Sequence, residues 1–452
     1  MTTLERRAVF SLAGIFGLRI FGLFLILPVF SLYAAELEHA TPFLIGLTLG
    51  AYGLTQAILQ IPFGVLSDRW DRKKAIILGL LIFALGSVIA GLADSIYGVL
   101  AGRLIQGAGA ISAAVIALLA DLTREEQRTK AMAVIGVGIG FIFMASMILG
   151  PLFELWVGVN GIFMLTAVAA VLAIPVLLKV TPEPKRLSKA GESHSVKTQV
   201  AQVMRNPQLL QLDFGIFVLH TVLTSIFVVL PFLLIELGEM QKAEHWKVYS
   251  SVMVLGVIGM LPFMAVSHNR EKVRGALQLA VLILCIAVVT MLFSVGGNWW
   301  GLLTGLALFF VGFNTLEATL PSLISRVAPI ASKGTATGVY NSSQFLGVFV
   351  GGAASGWLSG LYGYQAVFIL SLCFTLLWLL ISFAAPALKL YDSKLVHLGQ
   401  GDAAELEATA VQIGEVPGVV EVSLIADEGV AYLKIDPDTV DSEKLESLLK
   451  LS

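Results

Sequence analysis

The chain has 452 residues, of which 57% are hydrophobic and only 13% are charged. Soluble domains carry roughly a quarter charged residues, so this composition excludes a water-soluble globular protein. The formal net charge of −2 identifies no partner by itself, because the distribution of charge matters more than its sum.

Long apolar runs follow one another from the N-terminus to about residue 387. A run of about 20 apolar residues crosses a bilayer as a helix, because a helix satisfies its own backbone hydrogen bonds there. The first run, 8–33, is too long for the apolar core of a signal peptide, so we interpret it as the first membrane helix. We predict twelve spans: 8–33, 43–66, 74–93, 97–120, 131–153, 160–180, 209–235, 248–267, 275–295, 299–325, 334–358 and 364–387.

Lysine and arginine are concentrated in alternate loops between these spans. They occur at the N-terminus, in the central loop, and between spans 2 and 3, 4 and 5, 8 and 9, and 10 and 11. The loops of the other set contain only Lys242 and Lys247. Under the positive-inside rule this asymmetry predicts a multi-pass inner-membrane protein with both termini in the cytoplasm.

Part of the sequence repeats at a fixed offset. Lys130–Val134 lies 205 positions before Thr335–Val339, and Phe163 and Phe368 share that offset. The repeat favours two six-helix halves, 1–180 and 208–388, although chance similarity between apolar segments is the alternative. The polar stretch 181–207 between them is predicted to be a cytoplasmic linker.

The segment between spans 2 and 3 reads G-V-L-S-D-R-W-D-R-K-K and begins at Gly64. It resembles motif A of the major facilitator superfamily, G-x-L-a-D-r-x-G-r-k, with Asp71 in place of the second glycine. The matching positions that we single out are Gly64, Asp68, Arg69 and Arg72.

The charges of this motif predict a cluster at the membrane boundary. Arg72 follows Asp68 by four residues, which is ion-pair spacing on a helix, and Asp121 ends span 4. Breaking a semi-buried cluster of this kind would leave charges unpaired. The resemblance further implies that Asp68 faces the start of span 11, near Lys333, and latches the two halves in one conformation; the alternative is a solvated loop.

Span 4 contains L-x-x-R-L-I-Q-G-A-G-A, which resembles motif B of proton-driven antiporters. An arginine inside a membrane is costly and faces a cavity or a partner. Arg103 and, in span 1, Arg19 are therefore candidates to modulate a proton site, with packing against backbone carbonyls as the alternative. Motif C matches only in part, which leaves antiport open.

Two other titratable side chains lie inside predicted spans. Glu317 in span 10 is an isolated carboxyl that could load and release a proton, unless it is a permanent partner of Arg19 or Arg103. His220 in span 7 is a second candidate, because imidazole titrates near neutral pH, unless it is a hydrogen-bonded structural residue.

Further polar side chains fall within the spans and are candidates to line a central cavity. The alternative for most of them is a hydrogen bond between helices, and none selects a substrate. They are Tyr52, Gln56, Gln60, Gln106, Asn314, Tyr340, Asn341 and Gln344.

Charges return after about Leu390, and the pattern predicts a small α+β domain over 389–452. We predict strands at 395–398, 419–425 and 430–435 and helices at 402–413 and 442–449, a ferredoxin-like βαββα order without the last strand. The layout resembles heavy-metal-associated domains but lacks their CxxC, so we predict that it binds no copper. Regulation, self-association and ligand binding are its open roles.

Motif A, the span 11 stretch from Gly338 to Gly347 and this tail together resemble YajR-type inner-membrane transporters, a group placed with proton-driven efflux proteins. The resemblance implies a twelve-helix secondary transporter whose partners are a small molecule, a proton and membrane lipid. We expect no cofactor, no metal and no nucleic acid, and no enzyme, because no nucleophile-base pair or phosphate loop occurs. A membrane sensor that signals through the C-terminal domain is the alternative.

Overall fold

A computed structural model describes residues 1–183, 196–267, 270–386, 388–398, 402–425 and 429–451. Most of the predicted linker, at 184–195, and two residues of the predicted turn, Asp427 and Glu428, lie outside these ranges. The helices of the membrane part are α1 (Thr3–Ile26), α2 (Phe30–Ala34), α3 (Pro42–Arg69), α4 (Arg72–Leu92), α5 (Ile96–Ala108), α6 (Ser112–Leu122), α7 (Glu125–Lys179), α8 (Val196–Val203), α9 (Pro207–Gly238), α10 (His245–Ser267), α11 (Arg270–Ser294), α12 (Trp299–Val327), α13 (Lys333–Tyr362) and α14 (Tyr364–Ala384).

The described residues contain 11 helices that are long and apolar enough to cross a membrane. The longest, Lys130–Lys179, covers the predicted spans 5 and 6. Its backbone leaves the helical conformation at Gly158, where φ is 67° and ψ is 171°. Glycine adopts this conformation at no steric cost, which lets the chain reverse at this point.

Contacts near both ends of α7 show that the chain does reverse there. The N-terminal amine donates to Gln127 Oε1 over 3.4 Å, and Arg7 Nη2 donates to the carbonyl of Lys179 over 2.8 Å. Both ends of the stretch therefore lie at the end of the bundle that carries residue 1, which we call the terminal face. The other end, with loops 35–41, 93–95 and 239–244, is the opposite face.

Two predicted spans are broken rather than continuous. The first ends as a helix at Ile26 and resumes at Phe30, because Pro28 has no amide hydrogen for the helical ladder. The fourth breaks between Ala108 and Ser112. A Cβ on Gly109 would lie 2.3 Å from the carbonyl oxygen of Gly79, so this break is also a point of close backbone approach to α4.

The two halves pack together mainly through α3 and α13. Near the opposite face a Cβ on Gly46 would lie 2.2 Å from the carbonyl oxygen of Gly352, so the backbones touch. Towards the terminal face the helices diverge: a Cβ on Gly338 would be 4.0 Å from Ile61, and one on Gly334 would meet nothing within 4 Å. The halves are therefore in tight contact at one end only.

Polar contacts close the opposite face between the halves. Ser31 Oγ donates to the carbonyl of Phe227 over 3.0 Å, and Tyr249 Oη donates to that of Pro28 over 3.3 Å. Lys242 and Glu36 form an exposed ion pair nearby. Phe30, Phe227 and Tyr249 belong to the buried apolar cluster around these bonds.

The C-terminal domain contains β1 (Asp392–His397), α15 (Ala403–Gly414), β2 (Val419–Ile425), β3 (Val430–Ile435) and α16 (Ser442–Leu451). The sheet has the order β1-β3-β2 with antiparallel neighbours, as in a split βαβ unit. Its core contains Ile413, Ala431 and Leu433. The predicted strands 419–425 and 430–435 agree with β2 and β3, whereas the predicted cap Asp402 makes no side-chain cap hydrogen bond.

This domain docks on the connection between α12 and α13. Lys434 Nζ donates to the carbonyls of Val327 and Ala328 over 2.8 and 2.7 Å, and Ile330 N donates to Glu421 Oε2 over 3.0 Å. Burial against the bundle lowers the pKa of Lys434. The small domain is thus tied to the terminal face by a buried cation that bonds to backbone.

Candidate functional site

The first half contains a buried polar network around Arg19 of α1. Arg19 Nη2 donates to Tyr52 Oη and to Gln56 Oε1, each over 2.6 Å. Gln56 in turn donates to Gln60 over 2.9 Å along the same face of α3. These predicted cavity residues are fully buried in this conformation and bind the arginine.

A second guanidinium, that of Arg103 on α5, shares this network. Its Nη1 donates to Gln106 Oε1 over 2.6 Å, and its Nη2 donates to the carbonyl of Leu49 over 3.3 Å. Gln106 Nε2 in turn donates a hydrogen bond to Ser87 Oγ over 2.8 Å. Both cations approach the Tyr52 ring, whose centroid lies 5.8 Å from the Arg19 guanidinium carbon and 5.1 Å from that of Arg103.

These two cations have no acidic partner among the described residues. No ion pair joins either arginine to a carboxylate, and the Nε atom of each is buried without a hydrogen-bond partner. A buried charge without a counterion carries a desolvation penalty of several kcal/mol, which dipoles and an aromatic face offset only in part. The first half therefore presents uncompensated positive charge to the middle of the bundle.

The second half places Glu317 of α12 beside His220 of α9 and Gln344 of α13. Gln344 Nε2 lies 2.8 Å from His220 Nε2 and donates to Glu317 Oε1 over 3.5 Å. His220 Nδ1 lies 3.3 Å from the carbonyl of Ile216, which makes Nδ1 the donor and Nε2 the acceptor of a neutral ring. His220 is thus hydrogen-bonded on both nitrogens.

The Glu317 carboxyl is only partly satisfied. Its Oε2 has no hydrogen-bond partner and lies 3.9 Å from His220 Nε2, which is too long for a hydrogen bond. A third of the side chain is exposed. Neither Arg19 nor Arg103 pairs with it among the described contacts, so the alternative of a permanent arginine partner is wrong for this conformation.

Polar side chains around Glu317 remain unsatisfied. Asn314 Nδ2, one helical turn before the glutamate, and Tyr340 Oη on α13 are buried without partners in the described part of the chain. Asn341 is partly exposed on α13. Unsatisfied buried groups are rare in folded proteins and indicate a place that binds water, protons or ligand.

The sequence reasoning missed one buried acid, Asp213. It lies on α9 seven residues before His220, its side chain is 5% exposed, and both carboxylate oxygens are buried without a hydrogen-bond partner. The available signal was an aspartate inside the predicted span 209–235, at a spacing that puts it on the face of His220.

The motif A charges meet at the terminal face. Arg72 pairs with Asp68 and, through Nε over 3.0 Å, with Asp121 Oδ2; Nη1 also donates to Ser67 Oγ over 3.0 Å. Arg72 and Asp121 are buried, with 8% and 4% of their side chains exposed, whereas Asp68 is 46% exposed. The cluster lies wholly within the first half.

The structure accounts for Asp71, which stands in place of the second glycine of the motif. Its φ of −167° is ordinary extended backbone, and its carboxylate accepts from Lys74 N over 2.9 Å as the N-cap of α4. A glycine is therefore not needed at this position. Gly64 has room for a Cβ at ordinary contact distance from Ala113, and Arg69 is exposed at the end of α3.

Among the described residues, the expected contact between the motif and the second half does not form in this conformation. No described hydrogen bond or ion pair joins Asp68 to α13. Near the start of α13, Thr335 Oγ1 donates instead to Gln199 of α8 over 2.7 Å. The divergence of α3 and α13 at this face accounts for the separation.

Comparison with known proteins agrees with this architecture. The family model for the Major Facilitator Superfamily matches residues 12–352 and 276–415. Inner membrane transport protein YajR of Escherichia coli is 42% identical over 450 residues, which is 100% of this chain and 98% of that protein. Quinolone resistance protein NorA of Staphylococcus aureus is 23% identical, over 75% of this chain and 86% of that protein. A solved bacterial homolog to human lysosomal transporter Spinster, in an inward-facing and occupied conformation, matches 85% of this chain and 97% of its own with a TM-score of 0.67 and 13% identity.

Proposed function

The chain belongs to the Major Facilitator Superfamily and is a multi-pass inner-membrane transporter, not an enzyme, and from this premise we propose that it couples export of a small molecule to proton entry. The observation that carries the coupling is the Glu317 cluster. Its carboxyl is partly exposed, lacks a cation, and lies against a neutral histidine and a glutamine on two other helices. Protonation changes the charge of this cluster where three helices meet.

The packing of the halves supports an alternating-access mechanism. Tight backbone contact at the opposite face and divergence at the terminal face support a state open towards the terminal face. The excess of lysine and arginine on that side supports assigning it to the cytoplasm. In this reading the chain is inward-facing, and the motif A cluster forms its latch with α13 only when the cytoplasmic ends close.

The charges of the two halves suggest how protonation could be coupled to movement of the halves. Arg19 and Arg103 have no counterion among the described residues, and Glu317 is an acid of the other half that also lacks a cationic partner there. When Glu317 is ionised, attraction to the arginines favours closing the halves; when it is protonated, that attraction is lost. A proton thereby changes the balance between the two access states, which is what coupled transport requires.

The test is uptake into proteoliposomes with an imposed pH gradient, screened over a chemically broad set of compounds that includes a fluorescent quinolone. We expect gradient-driven movement of one class, abolished in Glu317→Gln with the folded protein retained. Glu236→Gln is the matched control, because Glu236 is an exposed carboxyl near the far end of α9. Normal coupled transport by Glu317→Gln would contradict the proposal.

A further inference from the structure

We propose that Asp213 is a second proton-binding carboxyl that passes protons between the terminal face and the Glu317 cluster. This inference rests on the proposed proton coupling. It is carried by a buried carboxyl with two unpartnered oxygens, its register with His220, and the unpartnered hydroxyl of Tyr340 on the neighbouring helix α13.

Asp213 is placed between the terminal face and the cluster by helix geometry. The helix α9 starts at Pro207, so Asp213 lies six residues in and His220 a further seven. At 1.5 Å per residue these steps correspond to about 9 and about 10 Å along the axis, and a spacing of seven returns to the same face. The two titratable groups form a ladder directed from the terminal face to the middle of the bundle.

The Asp213 carboxyl is buried without a hydrogen bond or ion pair to any described residue that would offset the loss of hydration. Neither carboxylate oxygen has a hydrogen-bond partner, and no ion pair among the described residues includes Asp213. An unpaired carboxylate in such a place costs far more free energy than the neutral acid. A structural aspartate would be expected to have an arginine, lysine or backbone amide beside it.

The neighbouring helices supply one relay group. On α13, the Tyr340 hydroxyl is buried without a hydrogen-bond partner in the described part of the chain. The titratable groups of α12 include Glu317 and, in its last turn, Arg326, and on α9 itself the next one is His220. On α11, Arg274 donates to the carbonyls of Phe383 and Ala385, and α14 contributes no Asp, Glu, Lys, Arg or His over its length. Because none of these groups hydrogen-bonds to Asp213, water must complete the path from Asp213 to the cluster.

The proposed transfer balances as one proton. Asp213 takes a proton from a hydronium ion at the terminal face and gives it to a bridging water as that water protonates the Tyr340 oxygen and the Tyr340 hydroxyl gives its own proton to Glu317, which leaves Asp213 ionised and Glu317 neutral. Breaking one O–H bond at each donor and forming one at each acceptor moves no electrons. Release towards the terminal face runs the same steps in reverse.

The test measures the protonated carboxylic acids directly, by the infrared C=O stretch of the full-length protein in detergent near neutral pH. We expect Asp213→Asn to remove one component of this band and Glu317→Gln to remove a different one, while Glu236→Gln removes neither. An unchanged band in Asp213→Asn would show that Asp213 is ionised, and would overturn the proposal.

A kinetic arm separates this inference from the proposed function. We expect Asp213→Asn and Tyr340→Phe to slow proton entry into proteoliposomes, followed with an internal pH dye, by at least tenfold while Glu317→Gln abolishes it. Full-rate proton entry in both Asp213→Asn and Tyr340→Phe overturns the relay even if Glu317→Gln fails. A different outcome is that Asp213→Asn loses the band component while Glu317→Gln retains normal proton-coupled transport. This outcome would contradict the proposed function but would still support Asp213 as a proton-binding carboxyl.

Discussion

Substitution of Asp121 by Asn is expected to cost far more stability than the same change at Asp68, although both carboxylates bind the same arginine. Asp121 is 4% exposed and holds a guanidinium that is itself 8% exposed, whereas Asp68 is 46% exposed. Removing one partner of a buried ion pair costs about 3–5 kcal/mol, and an exposed pair contributes about 0–1 kcal/mol.

The remaining contacts of Arg72 indicate where in these free-energy ranges each variant should fall. In Asp121→Asn, Arg72 keeps Asp68 and the Ser67 hydroxyl, so we expect the lower end, about 3 kcal/mol. In Asp68→Asn the buried Arg72–Asp121 pair survives, and we expect a loss of about 0.5 kcal/mol.

The assay is the free energy of unfolding in mixed micelles, titrated with a denaturing detergent and followed by tryptophan fluorescence. Asp94→Asn, an exposed carboxylate in a loop of the opposite face, is the control for loss of a negative charge. Equal losses in Asp121→Asn and Asp68→Asn would refute the argument from burial.

The remaining predictions concern movement and docking. Gly352→Val should separate α3 from α13 at the opposite face, because the Cβ of the new side chain would lie 2.4 Å from the Gly46 carbonyl oxygen. Thiol labelling of a Ser31→Cys variant from that side should then increase. Unchanged labelling would count against a closed opposite face. Asp68→Asn should shift spin-label distances between the terminal ends of α3 and α13 away from the closed form of that face, and an unaltered distribution would remove the latch. Lys434→Met should raise hydrogen exchange in 327–332, since two backbone bonds are lost, while the exposed Lys444→Met should not; equal exchange in both would show that the domain docks without Lys434.

Much of the fold follows from the sequence because hydropathy and strand alternation are local signals. The run 43–66 becomes Pro42–Arg69, and 430–435 becomes Val430–Ile435. Breaks inside spans were not predicted, because Pro28 and Gly109 are tolerated in continuous membrane helices and only packing decides. The motif gives no reason for an aspartate at position 71, whereas the structure does, because the backbone there is extended and the residue caps α4.

The site is less predictable, because its partners come from different helices. Glu317, His220 and Gln344 were each candidates, yet their contact depends on three helices meeting. The alternative of an arginine partner for Glu317 could be settled only by geometry. Asp213 lies inside the predicted span 209–235, which is a signal in the sequence, but that both its oxygens are buried without a partner is seen only in the packed structure.

The central claim, that Glu317 couples a small molecule to protons, is tested most directly by driving the cycle backwards. A gradient of a transported compound is imposed on proteoliposomes at equal internal and external pH, and the internal pH is recorded. The account predicts a compound-dependent pH change in the wild-type protein and in Glu236→Gln, and none in Glu317→Gln. A pH change of wild-type size in Glu317→Gln would contradict it.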